Sequence, residues 1–275
     1  MKYANHIVRI EIPSLWRGRK HIRWELNPDV NILSGRNGEG KSTILNRLIR
    51  QLRTRPTTGE LQQNPQFGVT IDFDPADAES IRYDIIRSFD RQLVQAEGMP
   101  ELPGTHIVTE LDWQLYLMQR RYLDYQVNVG NRMVQLLTSG APDGHAQAVA
   151  ASAAKTRFQD IVDELFSQTG KKLDRTSNEL RFRQYDEYIT PYVLSSGEKQ
   201  MLLILLTALT EDNQPYVFFM DEPEASLHVE WQQVLVAYVR ELNPHAQIIL
   251  TTHAPGVIMD GWMDCVTEVG DITVD

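Results

Sequence analysis

Residues 30–53 read VNILSGRNGEGKSTILNRLIRQLR, and this stretch decides the fold. Val30 to Leu33 is a short apolar run typical of a buried strand, and apolar side chains recur at helical spacing over residues 42–53. Between them, Gly35 to Ser42 matches G-x-x-x-x-G-K-[ST] without a mismatch. Glycines let successive backbone N–H groups turn inward around phosphate oxygens, and the following helix N-terminus adds partial positive charge. The stretch therefore predicts a strand, a phosphate-binding loop and a helix.

The polar side chains of this loop have separate expected roles. Lys41 is expected to reach the β and γ phosphates of a nucleotide, and the Ser42 hydroxyl to take a position on Mg²⁺. A glycine-rich turn with an incidental lysine is the alternative interpretation. The candidate nucleotide-binding residues of the loop are Asn37, Gly38, Glu39, Gly40, Lys41, Ser42 and Thr43.

A second candidate site follows the apolar run from Val217 to Met220, which ends in two carboxylates. At the carboxyl edge of a parallel sheet, Asp221 is expected to support Mg²⁺ and Glu222 to orient or deprotonate an attacking water. Taken alone, an Asp-Glu pair at a strand end is also common as solvated punctuation. The phosphate-binding loop favours the catalytic interpretation.

Two further positions are candidates for contact with phosphate. Ser195 and Gly197 precede an apolar helix, so a hydroxyl and exposed N–H groups lie at a helix N-terminus, which is an anion site. The alternative is an ordinary helix cap with Glu198 in the first turn. His253 follows a predicted strand and is expected to donate a hydrogen bond to the γ-phosphate or the attacking water, although a histidine there is often only a surface or packing residue.

These four motifs together resemble the ABC-type ATPase superfamily. The loop has the form G-x-N-G-x-G-K-S, LSSGE from residue 194 looks like the signature motif, residues 219–222 look like Walker B with its catalytic glutamate, and residues 248–253 look like the switch-histidine strand. Transporters usually read LSGGQ and DEPTSALD, whereas this chain reads LSSGEKQ and DEPEASLH. These spellings resemble the SMC-like, RecF-like and OLD-like AAA ATPases, which commonly act on DNA or serve in phage defence, often with a nuclease or toxin partner.

The resemblance implies a homodimer that binds ATP and Mg²⁺. In that arrangement the signature of one subunit meets the γ-phosphate bound by the other, so two chains complete two sites. Residues 225–227, with His228 in the same stretch, would contact the partner. The family's Mg²⁺-contacting glutamine falls nearest Gln92, with Asp90 as a competitor, and an adenine-stacking residue is not identified, because Trp16 and Trp24 fit equally well as packing residues.

The predicted fold class is α/β, a P-loop NTPase of ABC-ATPase-like type, with a mixed sheet, flanking helices and an inserted helical lobe. Residues 1–92 and 181–275 form the expected ATPase core. Residues 93–180 form the expected lobe, because a long amphipathic helix is predicted over 109–138 and a second over 146–168. A β-hairpin is predicted from residues 6–15 and 21–26.

Composition limits the possible partners and compartment. A net charge of −10 argues against a protein that coats nucleic acid, although local basic clusters occur near residues 17–23 and 47–55. The single Cys265 excludes an internal disulfide framework and favours a reducing, cytoplasmic compartment. No apolar run approaches the roughly 20 residues of a membrane helix, so membrane insertion is not expected.

Three hypotheses follow. The first is a Mg²⁺-dependent ATPase whose dimer closure is coupled to DNA or to an effector protein such as a nuclease. The second is the nucleotide-binding subunit of an ABC transporter, against which the sequence DEPEASLH counts. The third is a binding module that senses ATP with little turnover, which Glu222 and His253 disfavour.

Overall fold

The computed structural model describes residues 2–53, 68–87, 107–259 and 261–274. The chain divides into two compact units. The sheet unit comprises Met1–Ser88, Asn213–Arg240 and Pro244–Asp275, and the helical unit comprises Phe89–Asp212 and Glu241–Asn243. Residues 181–212, which were predicted to belong to the ATPase core, group with the helical unit. The predicted domain boundaries at residues 92 and 181 stay a prediction.

The secondary structure of the described residues is as follows. The strands are β1 (His6–Leu15), β2 (Lys20–Glu25), β3 (Val30–Ser34), β4 (Thr70–Asp74), β5 (Tyr83–Arg87), β6 (Lys172–Leu173), β7 (Phe182–Gln184), β8 (Glu187–Ile189), β9 (Tyr216–Asp221), β10 (Ala246–Thr252), β11 (Val266–Glu268) and β12 (Thr273–Val274). The helices are α1 (Lys41–Arg53), α2 (Glu110–Thr138), α3 (Gly144–Phe166), α4 (Ser196–Thr210), α5 (Val229–Leu242) and α6 (Pro255–Ile258). Short 3₁₀ turns cover Ser167–Thr169, Pro191–Val193 and Met263–Cys265.

A five-stranded parallel sheet in the order β11-β3-β10-β9-β5 forms the centre of the sheet unit. Its inner strands are buried along nearly their whole length, as expected of strands that are covered on both faces. The register pairs Ser34 with Thr252 and Asp221 with Thr251. The carboxyl ends of β3, β9 and β10 therefore lie side by side at one edge of the sheet.

The second sheet of this unit is antiparallel, in the order β12-β2-β1-β4. The hairpin predicted from sequence is present, because β1 pairs with β2 from Arg9↔Glu25 to Leu15↔Lys20. Helix α1 contributes its apolar face to the core that both sheets share, through Ile44, Leu45, Leu48, Ile49 and Leu52. The fold class predicted from sequence, α/β with a mixed set of strands and flanking helices, is confirmed.

In the helical unit, α2 packs against α3, and both pack against α4. Helix α2 begins at a capping box, in which the Thr109 side chain and Asp112 satisfy each other's backbone N–H groups. Its buried apolar residues keep the spacing seen in the sequence: Leu111, Leu115, Met118, Tyr122, Tyr125 and Val129. The two predicted helices are therefore present, each within two residues of its predicted bounds. Strands β6, β7 and β8 form a small antiparallel sheet.

Among the helices of the described residues, none combines the length and the apolar content that crossing a membrane requires.

Candidate active site

The phosphate-binding loop spans the gap between the end of β3 at Ser34 and the start of α1 at Lys41. Gly40 has φ of 108°, a left-handed value that favours glycine. A Cβ at Gly40 would also lie 2.8 Å from two carbons of the Trp16 ring. Both constraints require glycine at this position, and they show that the Trp16 indole lies directly against the loop.

The Lys41 side chain is buried and folds back over the loop. Its Nζ donates hydrogen bonds to the carbonyl oxygens of Gly35 at 2.8 Å and Arg36 at 3.3 Å. The Arg36 N–H donates to Glu39 Oε2 at 2.9 Å. The ammonium group is thus held at the loop by neutral carbonyls, which a phosphate can replace as a stronger, charge-assisted acceptor.

Ser42 and Asp221 lie 179 positions apart in sequence and are hydrogen-bonded in the structure. Ser42 Oγ donates to Asp221 Oδ1 at 2.8 Å, and Thr251 Oγ1 donates to the same oxygen at 2.6 Å. Hydroxyl and carboxylate oxygens are the hard ligands that Mg²⁺ prefers, and this ion usually takes only one or two protein ligands and keeps several waters. The donor set at this edge of the sheet therefore fits Mg²⁺.

Glu222 follows β9 in a strained conformation, with φ of 48°. A left-handed backbone is uncommon for a non-glycine residue and is enriched at functional sites. The Glu222 N–H donates to the Thr251 carbonyl at 3.0 Å, which fixes this turn to the neighbouring strand. The chain therefore holds the carboxylate beside the carboxyl ends of β9 and β10.

His253 lies one residue beyond β10 and faces that carboxylate. The distance from His253 Nδ1 to Glu222 Oε1 is 3.2 Å, and half of the histidine side chain is exposed. An exposed imidazole paired with a carboxylate is available to a ligand. The structure brings together the two residues that the sequence analysis named as candidate catalytic residues.

Sequence reasoning missed a buried carboxylate next to this pair. Glu224 is 3% exposed, and its Oε1 accepts a hydrogen bond from the Thr252 hydroxyl. Burial raises the pKa of Glu224, and the Glu222 charge adds to the rise, whereas hydrogen bonds from Thr252 and from backbone N–H groups oppose it. The sequence DEPE at residues 221–224 contains this glutamate, but a charged residue after a proline at a strand end is typical of an exposed turn. In the following stretch Ala225 and His228 are exposed and Leu227 is buried.

The predicted signature lies in the helical unit at the start of α4. Ser195 is the N-cap and forms a capping box with Glu198, since each side chain accepts a hydrogen bond from the other residue's backbone N–H. Ser195 is exposed and Gly197 is half-buried. The ordinary capping role is therefore present, and the Ser195 hydroxyl also donates to Glu198 Oε2 at 3.0 Å. Anion binding at this helix N-terminus stays a prediction.

Two buried ion pairs anchor the first turn of this helix. Glu198 Oε1 accepts from Lys171 Nζ at 2.8 Å, and Lys199 Nζ lies 2.8 Å from Asp112 Oδ1 at the start of α2. Burial acts to raise the pKa of Glu198, but hydrogen bonds from Lys171, from the Ser195 backbone and from Thr169 outweigh it and lower this pKa. Removing one partner of such a pair leaves an uncompensated buried charge, so the position of the signature is tightly constrained.

The structure gives different surroundings to the aromatic candidates for adenine stacking and to the residues of the basic clusters. Trp24 is 2% exposed and belongs to the core, whereas Trp16 is 37% exposed at the loop, with Lys20 Nζ 5.6 Å from its ring centroid. In the basic cluster of residues 17–23, Arg23 pairs with Glu25. The candidates Asp90 and Gln92 lie outside the described residues, as does Arg55.

Comparison with known proteins agrees with this fold. The Smc head bound to the C-winged helix domain of ScpA has 14% identity and a TM-score of 0.51, with 93% of this chain and 91% of that chain covered. The Smc head domain with an extended coiled coil bound to the C-terminal domain of ScpA, derived from Pyrococcus furiosus, has 12% identity and a TM-score of 0.50, with the same two coverages. At these identities the likeness concerns the fold.

A family match covers more than half of the chain. The family described as "AAA domain, putative AbiEii toxin, Type IV TA system" matches residues 104–260, a range that contains the signature, Asp221, Glu222 and His253. The phosphate-binding loop precedes this range, so the predicted nucleotide-binding motifs lie partly before the matched residues and partly within them. The chain belongs to this AAA-domain family, and its fold is similar to that of Smc head domains.

Proposed function

We propose that the protein hydrolyses ATP to ADP and phosphate in a Mg²⁺-dependent reaction at the edge where β3, β9 and β10 end. The observation that carries this proposal is the hydrogen bond from Ser42 Oγ to Asp221 Oδ1, at 2.8 Å, next to the Glu222–His253 pair at 3.2 Å. The phosphate loop, the carboxylate that would hold the metal and the carboxylate that would position water thus lie at the same edge of the sheet. These are the parts that phosphoryl transfer requires.

The phosphates would be bound by the loop. Backbone N–H groups of residues 37–43 and the N-terminus of α1 would face the phosphate oxygens, and Lys41 would leave its carbonyl acceptors to contact the β and γ phosphates. Ser42 and Asp221 would hold Mg²⁺. When bound, this ion supplies charge neutralisation for the β and γ phosphate oxygens.

Glu222 would orient the attacking water and accept its proton. The water oxygen forms a bond to the γ phosphorus while the bond from that phosphorus to the β–γ bridging oxygen breaks, so ADP leaves with the bond's electron pair. The proton passes from the water to Glu222 and then to phosphate. His253, 3.2 Å from Glu222, would donate a hydrogen bond to the γ-phosphate and report its presence.

Each site would be completed by a second copy of the chain. Ser195, which is exposed, and Gly197 would form an anion-binding helix N-terminus, and the resemblance to ABC-type ATPases assigns this element to the γ-phosphate bound by another subunit. One chain carries one phosphate loop and one signature. A head-to-tail homodimer with twofold symmetry would therefore form two equal sites, closed by ATP and opened by hydrolysis.

Trp16 would stack on the adenine base, because its indole lies against Gly40 and remains partly exposed. Stacking of a base on an aromatic ring is worth about 1–3 kcal/mol. We expect Trp16→Ala to weaken ATP binding by about tenfold, whereas Trp16→Phe retains most of the affinity. Binding of a fluorescent ATP analogue to both variants checks this, and equal affinity of Trp16→Ala and the unchanged chain would place the base elsewhere.

The output of closure would act on DNA or on an effector protein such as a nuclease or toxin. The family's description as a putative AbiEii toxin supports coupling to an effector. The Smc heads of similar fold were solved bound to domains of ScpA, which supports a protein partner. The ABC-transporter alternative is disfavoured by DEPEASLH, and the ATP-sensing alternative is disfavoured by the Glu222–His253 pair. The single cysteine favours the cytoplasm as the compartment.

Phosphate release from ATP tests the proposal. The unchanged chain is expected to release phosphate with Mg²⁺ and to stop when the metal is chelated, since the phosphate charges are then no longer neutralised. Lys41→Met, which loses the ammonium contact, is expected to bind ATP at least about tenfold more weakly and to lack turnover. A chain that binds ATP tightly with no phosphate release would favour the ATP-sensing module instead.

A further inference from the structure

Glu224 is a buried carboxylate, and its hydrogen bonds do not fully offset the free energy that its burial costs. One oxygen, Oε1, accepts from Thr252, while Oε2 has no hydrogen-bond partner in the part of the chain that the structure describes. Burying a charged or polar atom without a partner costs free energy, and an apolar side chain of similar size would avoid that cost. Stability alone therefore does not explain a glutamate at this position.

The hydrogen bonds around Glu224 lead to the switch histidine. Thr252 is completely buried, donates its hydroxyl hydrogen to Glu224, and accepts at the same oxygen from the Ala254 N–H at 3.0 Å. These two hydrogen bonds therefore hold Thr252 and Ala254, the residues on either side of His253. Glu224 itself lies two residues beyond Glu222, so the same carboxylate ties the segment after β9 to the end of β10.

The hydrogen bonds of Thr252 bear on His253, whose contact with Glu222 belongs to the proposed reaction. His253 Nδ1 lies 3.2 Å from Glu222 Oε1, and half of the histidine side chain is exposed to solvent. Which rotamers an exposed imidazole can adopt depends on the φ and ψ angles of its backbone. Anchoring of Thr252 and Ala254 restricts where the His253 ring can lie.

We propose that Glu224 is a positioning residue, which clamps Thr252 and thereby holds His253 against Glu222. This role rests on the proposed ATPase function and adds a residue that its motifs do not include. The clamp acts through geometry, so its loss changes the rate of the chemical step while the phosphate loop, and with it ATP binding, stays intact. Displacements of about 1 Å at a reacting centre lower rates by up to about 100-fold.

The test removes each partner of the Glu224–Thr252 hydrogen bond separately and together. Glu224→Met and Thr252→Val are each expected to lower kcat by about tenfold or more, with KM for ATP within about twofold of the unchanged chain. The double variant is expected to be no slower than the slower single variant, because both changes break one link. Thr252→Ser keeps the hydroxyl and is expected to retain kcat.

Controls separate this inference from the proposed function. Glu230→Met removes an exposed carboxylate on α5 and is expected to leave kcat unchanged. Absence of phosphate release by the unchanged chain would refute the ATPase proposal itself. With that activity present, an unaltered kcat in Glu224→Met, or additive losses in the double variant, would overturn the clamp alone. If Glu224→Met fails to fold, Thr252→Val and Thr252→Ser test the clamp instead, since only Thr252→Val is expected to lower kcat.

Discussion

Chains carrying Glu222→Gln are expected to shift from 31.6 kDa to twice that mass when ATP and Mg²⁺ are added, while turnover falls by about 10²–10⁴-fold. Glutamine has the size of glutamate but does not accept the proton of the attacking water. The phosphate loop and the Ser42–Asp221 pair are unchanged, so ATP still binds. Because hydrolysis is the step that reopens the proposed dimer, the closed state accumulates.

Light scattering coupled to size-exclusion chromatography measures this mass directly. Adding Lys41→Met to Glu222→Gln is expected to abolish the shift, since the nucleotide no longer binds tightly. The matched surface variant Glu230→Gln is expected to turn over ATP and to show no stable dimer. If Glu222→Gln binds ATP and keeps the mass of one chain, the composite site is wrong, and if it keeps normal turnover, the role of Glu222 is wrong.

The parts of the site that sequence predicts are those encoded within a few residues. The loop from Gly35 to Ser42 needs glycine where backbone turns left-handed, and the apolar run before Asp221 has the composition of a strand buried on both faces. Helix α2 was predicted at nearly its observed bounds because its buried residues repeat at helical spacing. In each case the physical constraint is local, so the signal is local too.

The missed features depend on pairings between distant segments. Glu224 acquires its meaning only because β9 and β10 are neighbours, which brings Thr252 to it across 28 positions. The short strand β11, with only one clearly apolar residue in Val266–Glu268, exists through its pairing with β3 rather than through its own pattern. The sequence alone does not distinguish Trp16 from Trp24 as a packing residue. Only the fold shows that Trp24 lies in the core and that Trp16 lies at the phosphate-binding loop.

A mixture of two inactive variants is expected to recover about one quarter of the activity of the unchanged chain. Lys41→Met inactivates the phosphate loop and leaves the signature intact. Gly197→Glu keeps the Ser195–Glu198 capping box and adds a carboxylate that suits a helix N-terminus, but this charge repels the γ-phosphate of the partner's ATP. Each variant alone is expected to be inactive, because every site in its homodimer contains one damaged half.

Random pairing at equal concentrations makes about half of the dimers mixed. In a mixed dimer one site combines the intact loop of the Gly197→Glu chain with the intact signature of the Lys41→Met chain, and the other site combines both damaged halves. One working site in half of the dimers gives about one quarter of full activity, measured as phosphate release after the chains are mixed. Thermal melting of each variant shows that both are folded. Recovery near zero, with both variants folded, would mean that loop and signature do not meet across two chains, whereas activity of Gly197→Glu alone would mean that the signature serves only as the cap of α4.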